Sequence, residues 1–283
     1  MRVPIISIAL PFFNAEATLA SSVQSIIKQN FTDWELLLLD DGSSDASLSI
    51  ARAFDDPRIR VFSDGQNLGI SSRLNQGIAL AYGKYFFRMD SDDLAFPGRL
   101  QIQHDFLEAH PDIDLVASNV ILFRSDGEIL GSLEVVAEHA DIVARPCAGF
   151  YMPHPTWGGR TSWFSQHLYK SVYNGAEDHE LLYRTHRSSR FACITTPLLA
   201  YREVGQGLGK RFGRRKILAR AMFQSACHQR CWGDMICVVF CFLFKSAIDL
   251  ICHVLRLPGL RVRFARVSAE QMEEVKRLLR AEA

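Results

Sequence analysis

The sequence predicts an α/β protein: a Rossmann-like, mostly parallel sheet with helices on both faces, followed by a C-terminal helical, membrane-associated tail. Three observations predict it. Apolar runs at 5–10, 34–39 and 85–89 lack the alternation of half-exposed strands, as expected of strands covered on both faces. Segments with helical spacing of apolar residues lie between them. The second and third runs lead directly into the acidic clusters Asp40-Asp41-Gly42-Ser43-Ser44-Asp45 and Asp90-Ser91-Asp92-Asp93. In open α/β sheets that carboxyl end of the strands is where ligands sit.

The elements follow in order. Residues 5–10 read as strand, 15–28 as helix and 34–39 as a fully buried strand. A helix over 44–54 has Ser43 or Ser44 as a candidate cap, and 58–62 reads as strand. A helix near 69–82 precedes the strand 85–89, and a helix over 97–108 carries its proline in the first turn. Another strand is expected at 114–123, with a turn at Ser125-Asp126-Gly127. Residues 145–165, rich in Pro, Gly, His and Trp, read as irregular, and 177–187 returns to helix.

At 283 residues and 48% hydrophobic, the chain can hold one large α/β domain with an appendage. We place the catalytic domain at 1–209 and the tail at 210–283. The first apolar run is too short for a signal peptide and lacks a small-residue cleavage site, so a cytosolic domain is expected. Seven cysteines without a regular framework suit a reducing compartment. The net charge of +1 conceals an asymmetry: −8 over residues 1–200 and +9 from residue 201 onward. Such a tail is expected to meet an anionic surface.

The acidic clusters carry the chemistry. Three carboxylates within Asp90, Asp92 and Asp93 repel one another unless they are solvated or hold a cation, and Mg²⁺ or Mn²⁺ with phosphate oxygens as remaining ligands is the natural occupant. A calcium loop counted from Asp90 needs Gly and Glu where Ala95 and Gln101 stand, so it is excluded. The first strand–helix junction, Pro11-Phe12-Phe13-Asn14, has neither G-x-G-x-x-G nor a P-loop. Taken alone, Asp40–Asp45 reads equally well as an acidic turn capping a helix. Arg73, one turn beyond Gly69, could reach a phosphate or a base, though alone it reads as a solvated helix arginine. Glu177-Asp178 alone reads as acid placed at a helix N-terminus.

Together these residues resemble glycosyltransferase family 2. The ordered set is Pro11 and Asn14, Asp40 to Asp45, Asn67-Leu68-Gly69, Arg73 with Asn75, and Asp90-Ser91-Asp92-Asp93. It continues with His154-Pro155-Thr156, Ala176-Glu177-Asp178 through Arg184, and Pro197 through Arg202, and covers about residues 4–203. The resemblance implies a type A glycosyltransferase fold and an inverting, metal-dependent enzyme. Its donor is a nucleotide sugar, with a lean towards UDP, and its acceptor a glycan or lipid-linked saccharide. It implies donor-binding roles for Pro11, Asn14, Asp40, Asp41, Asn67, Arg73 and Asp90. Asp92 and Asp90 would serve the metal, Asp178 would be the general base and Glu177 its accessory. His154, Thr156 and Arg160 are assigned to the acceptor side. A neighbouring Glu177 is expected to raise the pKa of Asp178. One departure is plain: Glu203-Val204-Gly205-Gln206-Gly207 follows Tyr201-Arg202, where many relatives carry a histidine, so no closing-loop role is carried over.

The tail begins with five basic residues in seven, Lys210 to Lys216, suited to anionic headgroups. No aromatic-interleaved platform accompanies them, so nucleic acid is not the expected partner. Residues 235–257 approach the length of a bilayer span, but Lys245, Asp249, His253 and Arg256 share one helical stripe. The first reading is a helix lying in the membrane plane with that stripe in water. A true span, or a helix packed on a partner, are the alternatives. Two other functions stay open: a membrane-attached nucleotide-sugar-binding protein without turnover, and a sugar nucleotidyltransferase. The latter would want a Gly-rich loop with a basic residue after the first strand.

Overall fold

The structure, a computed structural model, describes residues 3–203, 208–228, 230–255 and 264–280. The elements run β1 (Ile6–Phe12), α1 (Leu19–Ile27), β2 (Trp34–Asp40), α2 (Ser47–Arg52), β3 (Ile59–Phe62), α3 (Ile70–Leu80), β4 (Tyr85–Arg88), β5 (Leu94–Ala95) and α4 (Arg99–Ala109). They continue with β6 (Leu115–Phe123), β7 (Ile129–Ser132), α5 (His139–Ile142), β8 (Gly158–Arg160), α6 (Thr161–Gln166), α7 (Glu177–Thr185) and β9 (Phe191–Arg202). The tail supplies α8 (Leu208–His228), α9 (Trp232–Val254) and α10 (Ala269–Arg280).

All the strands belong to one sheet in the order β3-β2-β1-β4-β8-β6-β9-β5, with β7 on β6. The first four are parallel as predicted, whereas β8 runs antiparallel to both β4 and β6, so the whole sheet is mixed. Every residue of β1 and β2 is buried because both faces are covered. Ile6, Ile8, Leu10 and Phe12 pack on one face with α1 and α4, and Ala9, Leu37 and Leu39 on the other with α3 and α7. β1 has β2 on one side and β4 on the other, so the chain reverses its order there and a crevice opens at the carboxyl edge.

Two elements depart from the sequence reading. α2 starts at Ser47, because Ser43 and Ser44 bond Asn14 in the neighbouring loop and so do not cap a helix. Within 145–165, β8 occupies the middle of the sheet. Its glycines make this possible: a Cβ at Gly158 would lie 2.6 Å from the Phe87 ring, and one at Gly159 2.4 Å from the Asp114 carbonyl oxygen.

The boundary predicted at 209/210 falls within the first turn of α8, and the tail helices pack back on the domain. Met222, Ala226 and Val238 join the same core as Leu74, Phe86 and Trp157. Val275 of α10 packs with Phe96, Ile121 and Phe123 on another part of the sheet. Among the described residues one helix segment, Trp232–Cys252 in α9, is long and apolar enough to cross a membrane. The described part of its polar stripe, Lys245 and Asp249, faces inward, contrary to the expectation of a wet stripe. Lys245 donates to the Ala148 carbonyl at 2.6 Å, and Asp249 is buried and paired with Arg215. The outward face is apolar, with Trp232, Ile236, Phe240, Leu243 and Ile251 all more than half exposed. The protein satisfies the charges itself, so the apolar side is left for another environment. The side chain of His253, and the whole of Arg256, lie outside the described residues, as do Val204–Gly207 of the departing loop and the side chains of Lys210 and Arg211.

Candidate active site

The carboxyl edge of β1, β2 and β4 gathers the acidic motifs. The Asp41 N–H donates to the Phe12 carbonyl at 2.8 Å, and the Met89 N–H to the Ala9 carbonyl at 3.0 Å, so both clusters leave the sheet beside β1. Pro11, Asn14, Asp41, Arg73, Asp90 and Asp92 line one cleft of about 580 Å³, together with Tyr201, Arg202 and Arg214. Asn14 adopts φ 48°, which asparagine tolerates, and its Oδ1 accepts the Ser44 N–H at 2.8 Å. Gly42 has φ 76°, and a Cβ there would meet the Gln66 carbonyl carbon at 2.9 Å. The turn after Asp41 therefore seats tightly on the loop before α3.

Asp41 is buried and accepts the N–H groups of Leu68 (2.8 Å) and Gly69 (3.1 Å) and the Arg73 Nε–H (3.0 Å). Arg73 reaches the cleft wall, but its five donors are all taken within the protein: Asp41, Asp64 twice, Gln76 and the Gln66 carbonyl. Bonding to Arg73 holds the Asp64 carboxyl down at about 2. The geometry thus gives Arg73 the work of fixing the pocket wall. Asp40 does not line the cleft; it accepts the Ser43 N–H and the Ser63 hydroxyl and shapes the turn. Asn67 is exposed and also outside the lining.

Carboxylate oxygens of Asp90, Asp92 and Asp93 lie within 4.8 Å of one another. The end of β9 straps this turn: the Arg202 N–H donates to Asp93 Oδ1 and its Nε–H to the Asp92 carbonyl, both at 2.9 Å. Arg88, fully buried, pairs with Asp90. Burial and the charge of Asp90 push the Asp92 carboxyl up to about 6, and the same causes push Asp93 well above the carboxylate range. Asp93 Oδ2 is buried without a hydrogen-bond partner among the described residues. Clustered hard oxygens, carboxyls pushed towards protonation and one orphaned oxygen are the donor set of a divalent cation site, so the residues fit such an ion.

A second cavity of about 360 Å³ shares Ile70, Asp90, Tyr201 and Arg214 with the cleft and contains His154, Glu177 and Asp178. Asp178 Oδ1 accepts the His179 N–H at 2.7 Å, and Glu177 Oε2 accepts the Gly175 N–H at 2.5 Å. His154 lies with Nδ1 3.8 Å from Glu177 and Nε2 3.0 Å from the Tyr169 hydroxyl, and burial drives its pKa well below the usual value. The expected direction of the pair is reversed. Burial favours a protonated Asp178, but His179, its N–H and Arg88 outweigh it and hold Asp178 below the usual range. Burial and Asp178 push Glu177 up to about 7. Of the pair, Asp178 gives up its proton the more readily and Glu177 keeps its own to higher pH.

The other two residues assigned to the acceptor side stand elsewhere. Thr156 is fully buried, donating to the Pro153 carbonyl at 2.7 Å and accepting the Ser118 N–H at 2.9 Å. Arg160 pairs in register with Tyr85 at the amino end of β4, on the opposite edge of the sheet, and bonds the Pro111 carbonyl. The sequence reading gives no site role to Arg88, Arg202 or Arg214, although Arg202 closes one of the matching motifs. An arginine inside a buried strand run was the available signal for Arg88, and the basic run at 210–216 contained Arg214.

The raised Glu177 carboxyl has a measurable consequence. Its folded pKa of about 7 exceeds the unfolded value of 4.5, so its contribution to stability is complete below about pH 4.5 and is lost as pH rises through about 7. Glu177→Gln, neutral throughout, should gain in melting temperature relative to the native protein between pH 5 and pH 8, by the equivalent of up to about 3 kcal/mol. Parallel melting curves across that range would place the proton elsewhere.

A mixed α/β sheet with two adjoining, carboxylate-lined cavities at its switch point defines an α/β protein with a ligand site at the carboxyl edge. The particular family follows from comparison: the model of glycosyl transferase family 2 matches residues 7–168, more than half of the chain, and the chain belongs to that family. An uncharacterized glycosyltransferase of Haemophilus influenzae is 30% identical over 213 residues, covering 70% of this chain and 65% of that protein. The chain spans about half the length of several curated relatives it matches. S. aureus TarS 1-349 in complex with UDP-GlcNAc superposes with a TM-score of 0.65 at 15% identity, covering 98% of this chain and 80% of the other. The mannosyltransferase PcManGT of Pyrobaculum calidifontis, in complex with GDP-Man and Mn²⁺, gives 0.62 at 16% identity, covering 92% and 77%. These two likenesses establish the fold.

Proposed function

We propose that this chain is an inverting glycosyltransferase. It would move a sugar, UDP-linked in the first instance, from a nucleotide donor to a hydroxyl of a glycan or lipid-linked saccharide. One observation carries the reading: the cleft holding Asp90 and Asp92 and the pocket holding Asp178 adjoin through Asp90, Tyr201 and Arg214. Donor and acceptor can then approach one sugar carbon from opposite sides.

In the reaction the bond from sugar C1 to the diphosphate oxygen breaks as the acceptor oxygen bonds C1, and the acceptor's proton passes to the Asp178 carboxylate. One displacement inverts C1. Asp90 and Asp92 would hold Mg²⁺ or Mn²⁺, which when bound supplies positive charge for the departing diphosphate. Pro11 and Asn14 would flank the nucleobase, with Asp41 beside it in a wall braced by Arg73. Protonated Glu177 would keep a second negative charge away from the base. TarS with UDP-GlcNAc supports the UDP lean, and PcManGT with Mn²⁺ the metal. The outward apolar face of α9 supports attachment at the cytosolic face of a membrane, flat against it rather than across it.

The test is a panel of nucleotide sugars with Mn²⁺ or Mg²⁺, following nucleoside diphosphate release. Slow, metal-dependent hydrolysis of one donor is expected, and it would name the sugar. Binding without release, with acceptors supplied, would favour the turnover-free binding protein. No binding of any donor would remove the nucleotide-sugar site.

A further inference from the structure

Three cavities meet at one side chain. Arg214 of α8 lines the donor cleft, the Asp178 pocket and a third cavity of about 380 Å³ among α7, α8 and α9. The third cavity shares Gly175, Asp178 and Arg214 with the Asp178 pocket, and its far wall is Leu218, Ala219, Met222, Val238 and Phe242. Ala219, Val238 and Phe242 are shared in turn with a fourth cavity of about 400 Å³ between α8 and α9, lined also by Phe223 and Val239, with Arg220 and Gln224 as its polar members. Val239 and Phe223 are exposed, so this cavity emerges on the outward apolar face of the tail helices. Two other cations at the rim are held by the protein, Lys245 on the Ala148 carbonyl and Arg215 on Asp249.

The cavities thus abut in series, from a base and a cation at one end to hydrocarbon at the other, with Ala219, Val238 and Phe242 common to the last two. Their charge pattern selects the occupant: an anionic head beside Arg214, and a chain with no polar atoms along α8 and α9. We propose that the groove between α8 and α9 is the binding site for the hydrocarbon chain of a phosphate-linked lipid acceptor. The saccharide hydroxyl lies at Asp178 and the phosphate at Arg214. This rests on the glycosyltransferase reading and deepens it by naming the acceptor class and the site of its chain. A protein segment in the same groove would bring backbone N–H and C=O groups against walls whose polar side chains are Arg220 and Gln224 alone.

The test uses the full chain and soluble alkyl phosphates below their micelle concentrations, with binding followed by calorimetry and donor hydrolysis measured in parallel. Octyl phosphate should bind roughly tenfold or more tightly than butyl phosphate, since each methylene enters an apolar wall. Octanol should bind more weakly than octyl phosphate, and Arg214→Ala should remove that difference. Ala219→Trp, at the junction of the two apolar cavities, should erase the chain-length dependence. Equal binding of butyl and octyl phosphate by the native protein, with donor hydrolysis intact, would overturn the groove and leave the enzyme standing. Chain-length dependence that survives in Ala219→Trp would place the chain elsewhere and overturn it too. So would a dimer that Ala219→Trp dissociates, which would give the groove to a second copy. Donor hydrolysis lacking for every sugar would remove the reading on which the groove depends.

Discussion

Asp178→Asn is expected to lower glycosyl transfer by about 10²–10⁴-fold, the usual contribution of a positioned general base, while donor affinity stays near the native value. The separation of effects follows from geometry. Asp178 lines the pocket beyond Asp90 and is not part of the wall of the donor cleft. The substitution keeps the shape of the side chain, and asparagine Oδ1 can still accept the His179 N–H that Asp178 accepts at 2.7 Å. Only the capacity to take a proton is lost. The measurement is steady-state transfer together with nucleotide-sugar binding by calorimetry. A variant retaining more than a small fraction of turnover would take the proton to another group, and Glu177, 6% exposed and protonated up to about pH 7, would be the first to examine.

What was legible in the sequence was what periodicity and proximity along the chain encode. Buried parallel strands declare themselves through unbroken apolar runs, and the acidic clusters stand next to those runs, so β1, β2, β4 and the ends that carry Asp41 and Asp90 could be read directly. β8 could not. Three residues, two of them glycines, form no pattern, and the strand exists because Gly158 and Gly159 let Phe87 and Asp114 come close. Arg160 was misplaced for the same reason: without β8 there is no means of knowing that the chain after His154 runs back to the other edge. β9 contains Pro197 and shifts register there against Asn119, so its pairing with β6 depends on tertiary context. The stripe of Lys245 and Asp249 shows the limit of periodicity. Spacing places the two charges on one face of α9, but only Ala148 and Arg215 determine that this face turns inward. Arg73 is similar, since a helix position cannot reveal that Asp41, Asp64, Gln76 and Gln66 already occupy its donors.

The second large effect concerns the cation. Asp92→Ala is expected to weaken Mn²⁺ binding by about 10–100-fold or more, a scale that even the outer partners of metal ligands reach, and to weaken donor binding only when metal is present. The three carboxylates within 4.8 Å repel one another, and removing Asp92 relieves that repulsion while removing a ligand. The variant should therefore be no less stable than the native protein without metal, because the carboxyl that burial and Asp90 push to about 6 is gone. With Mn²⁺ the order should reverse, since the native protein binds more tightly and its stability rises with the logarithm of ligand concentration over Kd. Melting temperature with and without Mn²⁺, alongside the paramagnetic resonance signal of free Mn²⁺, reads both effects independently of turnover. Equal Mn²⁺ affinity in the two proteins would mean that the crowded carboxylates at the end of β4 are relieved by Arg88 and Arg202 alone. The cation would then have to be sought at another part of the cleft.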